Sequence, residues 1–236
     1  MSKQVAKSPL IYRCNPLPEL AVGQGVCLVQ HFEGTLLGMT LRRRAQRWLR
    51  HVLAAYLFLP ADQLTIARTR TGKPWLPQHS WLRFNLTHSG ASAAIVLCRG
   101  QDVGVDLEKV SGKIAVKKAI AQRFFHPDEQ RWLACSDENY LRRFTQIWCI
   151  KEAWLKARGS GLTQPLSGFC VIPRETGLAQ VVVEQQDHVG LIHHRWLAGE
   201  DIFCLAYGVS AHRQHPLVKW QVYFHQTGSH GATYAG

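Results

Sequence analysis

Two short segments constrain this chain more than any other part of it. Residues 104–108 read Gly-Val-Asp-Leu-Glu, and residues 148–162 read Trp-Cys-Ile-Lys-Glu-Ala-Trp-Leu-Lys-Ala-Arg-Gly-Ser-Gly-Leu. The first alternates like a strand: Val103, Val105 and Leu107 share one face, Asp106 and Glu108 the other. Like charges on one strand face repel unless a cation joins them. The second predicts a helix stopped by Gly159 or Gly161, with Glu152 and Lys156 four residues apart on one face. Two strand carboxylates and a helix carboxylate together make a candidate site for a hard cation such as Mg2+, which takes a few carboxylates and leaves room for water and phosphate oxygens. The plainer alternative is a solvated Asp-x-Glu strand end and an ordinary Glu-x-x-x-Lys helix pair.

Charge is distributed unevenly. The 236 residues carry a formal charge of +12. Residues 1–100 hold 13 Lys and Arg against 3 Asp and Glu, while residues 101–236 hold 15 against 13. The first part is therefore a candidate polyanion surface, for a phosphate-rich cofactor, an acidic protein or nucleic acid. Its densest stretch, Arg42, Arg43, Arg44, Arg47 and Arg50, falls in an amphipathic pattern that predicts a helix from about Thr40 to Leu59, ending at Pro60. A solvated basic face explains that stretch as well.

Other features exclude function classes. No apolar run is long enough to span a bilayer, and the first residues lack a signal-peptide core. That start, with seven scattered cysteines and no Cys-x-x-Cys pair, points to a cytoplasmic protein with reduced thiols rather than to a disulfide or zinc framework. Cys149, beside Trp148, is a remote candidate nucleophile with no recognisable base nearby.

The pattern along the chain is helix then strands, twice, in an α+β class. Helices are predicted over about 114–124, 128–134 and 139–157, and strands near 25–32, 64–67, 169–172, 178–184, 190–196 and 202–209. The runs 91–98 and 103–107 predict a hairpin turning at 99–102. Phe84 to Gly90 interrupts an apolar region. This divides the chain into an N-terminal half (1–104), a C-terminal half (105–210) and a polar, loosely ordered tail (211–236).

Five motifs in order carry a resemblance: Gly72-Lys73-Pro74; Phe84-Asn85-Leu86-Thr87-His88-Ser89-Gly90; Gly104-Val105-Asp106-Leu107-Glu108; Arg123-Phe124-Phe125 with Glu129; and Trp148-x-x-Lys151-Glu152-Ala153-x-x-Lys156-x-x-Gly159-x-Gly161-Leu162. Over about two-fifths of its length, the chain resembles the Sfp-type 4′-phosphopantetheinyl transferases. The resemblance implies a pseudo-dimer of two similar α+β halves with the active site in the cleft between them. It implies transfer of 4′-phosphopantetheine from coenzyme A to a serine of an apo acyl or peptidyl carrier protein, releasing adenosine 3′,5′-bisphosphate and requiring Mg2+.

By motif, Asp106, Glu108 and Glu152 are the implied metal ligands. Glu152 and Lys156 are the implied catalytic pair, with Lys156 on the pyrophosphate. Lys73 and His88 are implied at the 3′-phosphate, with Thr87 beside them in place of the family's usual serine. Arg42 falls nearest the family's basic position in the first helix, though Arg43 or Arg44 could serve. The implied partners are coenzyme A and an acidic carrier protein, with no nucleic acid and no membrane, and the implied state is a monomer. Two rivals are a family member that binds carriers without catalysis and a basic nucleic-acid-binding protein; the second finds no use for Asp106, Glu108 or Glu152 and has no recognised motif.

Overall fold

The computed structural model describes residues 11–13, 17–32, 38–135, 138–161, 164–174, 177–182, 188–198, 201–212 and 218–225. Its strands are β1 (Ile11–Arg13), β2 (Gln24–His31), β3 (Ala67–Arg68), β4 (Pro74–Trp75), β5 (Leu82–Ser89), β6 (Ser92–Arg99), β7 (Val103–Lys109), β8 (Cys170–Pro173), β9 (Leu178–Val182), β10 (His188–Ala198), β11 (Ile202–His212) and β12 (Lys219–His225). Its helices are α1 (Gly38–Leu57), α2 (Ile114–Phe124), α3 (Pro127–Ala134) and α4 (Tyr140–Arg158).

Two five-stranded sheets organise these elements. The first runs β1-β12-β2-β6-β5 and the second β7-β11-β10-β9-β8. Three apolar clusters show the layering. Leu49, Val52 and Leu53 of α1 pack with Val26, Leu28, Ile95 and Leu97 of the first sheet. The opposite faces of β2 and β6, through Cys27, Val29, Ala94 and Val96, meet Val105 and Leu107 of β7 and Leu205 and Tyr207 of β11. The far face of the second sheet, through Ala179, Val181, Ile192 and Ala206, is covered by Ile147, Ile150, Ala153 and Trp154 of α4. The order is thus helix, sheet, sheet, helix. β6 is apolar from Ala93 to Cys98 because both its faces are covered there. Each half is one long helix on a five-stranded sheet, which is the expected α+β class with two similar halves.

Three expectations need correction. First, β6 and β7 are not a hairpin. β6 pairs antiparallel with β2 and β5, and β7 with β11, so the turn at 99–102 carries the chain from one sheet to the other. The hairpin is β5–β6, with Gly90 at its tip. Second, the proposed boundary at 104/105 cuts β7, which belongs wholly to the second sheet. Third, the tail is not loosely ordered where it is described: β12 lies between β1 and β2, parallel to both. Trp220 and Val222 fill the core between the sheets, while Tyr223 turns toward α1's cluster. That strict alternation stabilises a central strand, although flanking polar residues lower the stretch's average hydropathy. Residues 213–217 and 226–236 lie outside the described residues.

Candidate functional site

The site forms where β5, β7 and α4 meet. Asn85 holds β5 against β7, its Oδ1 accepting the Val105 N–H at 3.0 Å. Gly104 admits α4: a Cβ there would stand 2.0 Å from the Ala153 carbonyl oxygen and 2.4 Å from the Ala157 nitrogen. Only glycine allows so close a backbone approach. The helix ends at Gly159, whose φ of 66° is the left-handed C-cap that glycine adopts without penalty.

This contact brings α4's last turns onto the outward face of β7. Lys156 Nζ donates to Asp106 Oδ1 at 2.5 Å and lies 3.3 Å from Thr87 Oγ1, while Thr87 Oγ1 donates to the same Asp106 oxygen at 3.1 Å. Asp106 is only 3% exposed. Its second oxygen, Oδ2, is buried with no hydrogen-bond partner among the described residues. A buried carboxylate oxygen left unpaired is costly. It is the natural seat for a cation or for a donor brought by a ligand.

The electrostatics agree. Burial, with Asp106 adding, pushes the Glu108 carboxyl up to about 7. Burial and then Asp106 raise Glu152 as well. Burial works to lower Lys156, but Asp106, helped by Glu152, outweighs it and holds the ammonium above its usual range. Two half-buried carboxyls are thus poised by a third, and one lysine partly balances them. The three side chains fit a divalent cation in charge and donor type. In the structure their oxygens do not all converge within 4.8 Å of one another, and Asp106 is instead paired with Lys156 and Thr87.

His88, at the far end of β5, is largely exposed, and its pKa is lowered by the partial burial of its ring, then by Lys156 and Arg42. His88, Arg42 and Lys156 therefore form one cationic neighbourhood, drawn from β5, α1 and α4. Lys73 is elsewhere. Its Nζ donates to the Ala157 carbonyl at 2.5 Å and to Asp102 at 3.2 Å, and Asp102 also pairs with Arg83. That is the Arg83 end of β5, about 17 Å along the strand from His88. The chain's contacts do not join Lys73 to His88, against the expectation that both reach one phosphate.

Two further residues resolve differently from their sequence appearance. Cys149 is fully buried, its pKa raised by burial, and its thiol donates to the Cys204 carbonyl at 3.2 Å. It is a packing residue rather than a nucleophile. Lys151 is 0% exposed. Its ammonium meets Glu129 at 2.8 Å and the Leu166 and Phe169 carbonyls at 2.7 Å each, using all three donors. Glu129 in turn accepts the Val171 N–H at 2.7 Å and the His126 N–H at 2.9 Å. This buried pair ties α3, α4 and β8 together beneath Glu152. Nothing in the local sequence, where Lys151 adjoins Glu152, announces it.

Comparison with known proteins converges on the same region. The model of the 4′-phosphopantetheinyl transferase superfamily matches residues 102–208. The 4′-phosphopantetheinyl transferase psf-1 of Bacillus pumilus is 33% identical over 155 residues, 65% of this chain and 61% of its own length. The transferase Sfp of Bacillus subtilis is 31% identical over 156 residues, 65% of this chain and 63% of its own. The transferase HetI of Nostoc is 34% identical over 120 residues, covering 49% and 50%. The chain thus spans less than two thirds of the length of these relatives. Residues 102–208, which hold Asp106, Glu108, Glu152 and Lys156, are similar to the 4′-phosphopantetheinyl transferase superfamily, and the wider chain is similar to the Sfp-like transferases over about two thirds of its length.

Proposed function

We propose that this protein transfers 4′-phosphopantetheine from coenzyme A to a serine hydroxyl of an apo carrier protein, with Mg2+ as cofactor. The observation that carries the reading is the buried, unpartnered Oδ2 of Asp106, flanked by Glu108, Glu152 and Lys156. In the reaction the serine oxygen attacks the pantetheine-bearing phosphorus. A new phosphodiester bond forms, the phosphoanhydride bond breaks, and adenosine 3′,5′-bisphosphate leaves.

Such a transfer needs positioning and charge neutralisation more than covalent help. Glu152, its carboxyl raised by burial and then by Asp106, is suited to accept the serine proton. Lys156 turns from Asp106 toward the charge that develops on the leaving phosphate. Asp106, Glu108 and Glu152 would hold Mg2+, which supplies further neutralisation on the pyrophosphate. His88 and Arg42 would bind the 3′-phosphate, since an anion there relieves the crowding of cations around His88. Thr87, bonded to both Asp106 and Lys156, fixes the lysine between these two ends of the cofactor. Lys73 would have to exchange Asp102 and the Ala157 carbonyl before it met a phosphate.

The basic first hundred residues suit two polyanions at once, coenzyme A and an acidic carrier. Arg43 and Arg47 are exposed along α1, whereas Arg50 is spent on the Ala61 and Leu64 carbonyls, each at 2.8 Å. The reading is of a monomer, because a single chain supplies both sheets that frame the site, and of a cytoplasmic protein, because its described cysteines are free thiols. Among the described residues no helix is long and apolar enough to cross a membrane. Mass spectrometry of apo carriers from fatty-acid, polyketide and peptide synthesis, incubated with the protein, coenzyme A and Mg2+, tests the function. A phosphopantetheine mass gain on at least one supports it, and no gain on any overturns it.

A further inference from the structure

A second group of metal-type donors lies away from the residues around Asp106. His126 stands just before α3, Asp128 lies in that helix's first turn, and Cys170 opens β8. One nitrogen, one carboxylate oxygen and one sulfur from the three lie within 4.8 Å of one another. His126 Nδ1 is 3.6 Å from an Asp128 oxygen. Forty-four positions separate His126 from Cys170, so no sequence spacing announces the group.

The frame around it is rigid. The buried carboxylate of Glu129 accepts the backbone N–H of His126 through one oxygen and that of Val171 through the other. Lys151 neutralises Glu129 and anchors the segment before β8 through the Leu166 and Phe169 carbonyls. One satisfied ion pair thus fixes the backbone beside His126 and beside Cys170. Two of the three donors are held on a framework that does not depend on their own side chains. A backbone held in this way lowers the cost of bringing the His126 and Cys170 side chains onto one ion.

The donor set selects among cations. Nitrogen, thiolate sulfur and a single carboxylate suit borderline ions such as Zn2+ rather than Mg2+, which prefers oxygen. Donors at bond lengths of about 2.0–2.3 Å around a tetrahedral ion stand about 3.3–3.7 Å apart, so closure from within 4.8 Å needs side-chain rotation, not backbone movement. The amino end of α3 opposes a cation through its dipole, and Arg131 pairs with Asp128. Asp128 in that first turn, once released from Arg131, and the thiolate reverse the local sign. Asp128 is half exposed, so its carboxylate can leave Arg131 for an ion at little cost.

We propose that His126, Asp128 and Cys170 form a binding site for a Zn2+-type cation, with a fourth position open to water. Binding replaces the thiol proton of Cys170 by a metal–sulfur bond and releases that proton to solvent. The site uses none of the residues assigned to coenzyme A or Mg2+, so it stands or falls apart from the transferase reading.

The test uses the full chain, stripped with chelator and titrated with Co2+, which reports thiolate ligation by near-ultraviolet charge-transfer absorption. The expected result is a band that saturates at one equivalent, is displaced by Zn2+, is lost in Cys170→Ser and persists in Cys135→Ser, whose thiol is exposed. Absence of the band in the wild type, or its survival in Cys170→Ser, overturns the proposal. Should Cys170→Ser fail to fold, His126→Asn and Asp128→Asn decide the matter. Asparagine is itself a good helix N-cap, so the first removes the imidazole while keeping the cap. Wild-type Co2+ affinity in both variants would equally overturn the site.

Discussion

Gly104 on β7 lies against Ala153 on α4 so closely that a single methyl group would stand 2.0 Å from the Ala153 carbonyl oxygen. The neighbour is backbone inside a helix, so it cannot swing aside. Two residues further along the strand is Asp106, and three further along the helix is Lys156. The contact at Gly104 therefore sets the distance across which carboxylate and ammonium meet.

Gly104→Ala should push α4 away from β7. Overpacking of this kind costs about 1–3 kcal/mol, so the melting temperature should fall by several degrees. The transfer rate should fall further than the lost folded fraction explains, because the Lys156–Asp106 pair is displaced. Thermal melts beside single-turnover rates check this. A variant as active and as stable as wild type would show that the close approach is not needed.

The Lys151–Glu129 pair predicts a purely structural loss. Lys151→Met leaves the Glu129 carboxylate, 1% exposed, without its cation and strips a donor from two carbonyls. Breaking a buried pair from one side costs about 3–5 kcal/mol. Urea unfolding should show that loss. The affinity of the remaining folded protein for coenzyme A should stay near wild type, since Lys151 points away from Glu152 into the core.

The raised Glu108 carboxyl gives a pH dependence with a definite sign. Its folded pKa of about 7 exceeds the ordinary 4.5, so between these values the folded chain holds a proton that the unfolded chain releases. The stabilisation is complete below pH 4.5 and is lost as pH rises through about 7. Without divalent cation, wild type should therefore lose stability relative to Glu108→Gln over that window. Mg2+ should reverse the loss above pH 7, because a cation favours the ionised form. Denaturant melts of both proteins at pH 5 and pH 8, with chelator and with Mg2+, measure it. An unchanged difference between the two proteins would contradict a crowded carboxylate site.

His88 and Lys73 should behave differently, although the motif resemblance assigns both to one phosphate. His88→Ala should weaken coenzyme A but leave dephospho-coenzyme A, which lacks the 3′-phosphate, nearly unaffected. Lys73→Ala should lower stability through the lost contacts with Asp102 and Ala157, and should affect both ligands alike. Calorimetric titration of each variant with each ligand separates the two. Selective loss for Lys73→Ala would mean that its ammonium leaves Asp102 when the cofactor binds.

Legibility in the sequence followed the range of the interaction. α4 and its glycine stop were readable because capping and helical periodicity are local. So was the division of β7 into an apolar face and an acidic one. The partner of β7 was not readable. Hydrophobic alternation says which face is buried but not which strand lies alongside, so β6 looked like a hairpin partner when the two belong to different sheets. β12 was missed because its order comes from insertion between β1 and β2, a contact almost two hundred residues distant in the chain. Among site residues, Asp106, Glu108, Glu152 and Lys156 stood out as charges without a local reason. Thr87's bond to Asp106 and the burial of Lys151 depend on tertiary packing and left no such mark.

In the proposed reaction Asp106 organises the site for transfer of phosphopantetheine. Asp106→Asn is nearly isosteric and keeps one oxygen for Lys156 and Thr87, so the fold should survive while the charge is lost. The direct measurement is the time course of the phosphopantetheine mass gain on an apo carrier, with wild type and Asp106→Asn compared at saturating coenzyme A and Mg2+. Wild type should modify the carrier, and the variant should lose nearly all of that rate with an unchanged circular-dichroism spectrum. A folded Asp106→Asn protein that modifies the carrier at the wild-type rate would contradict that role.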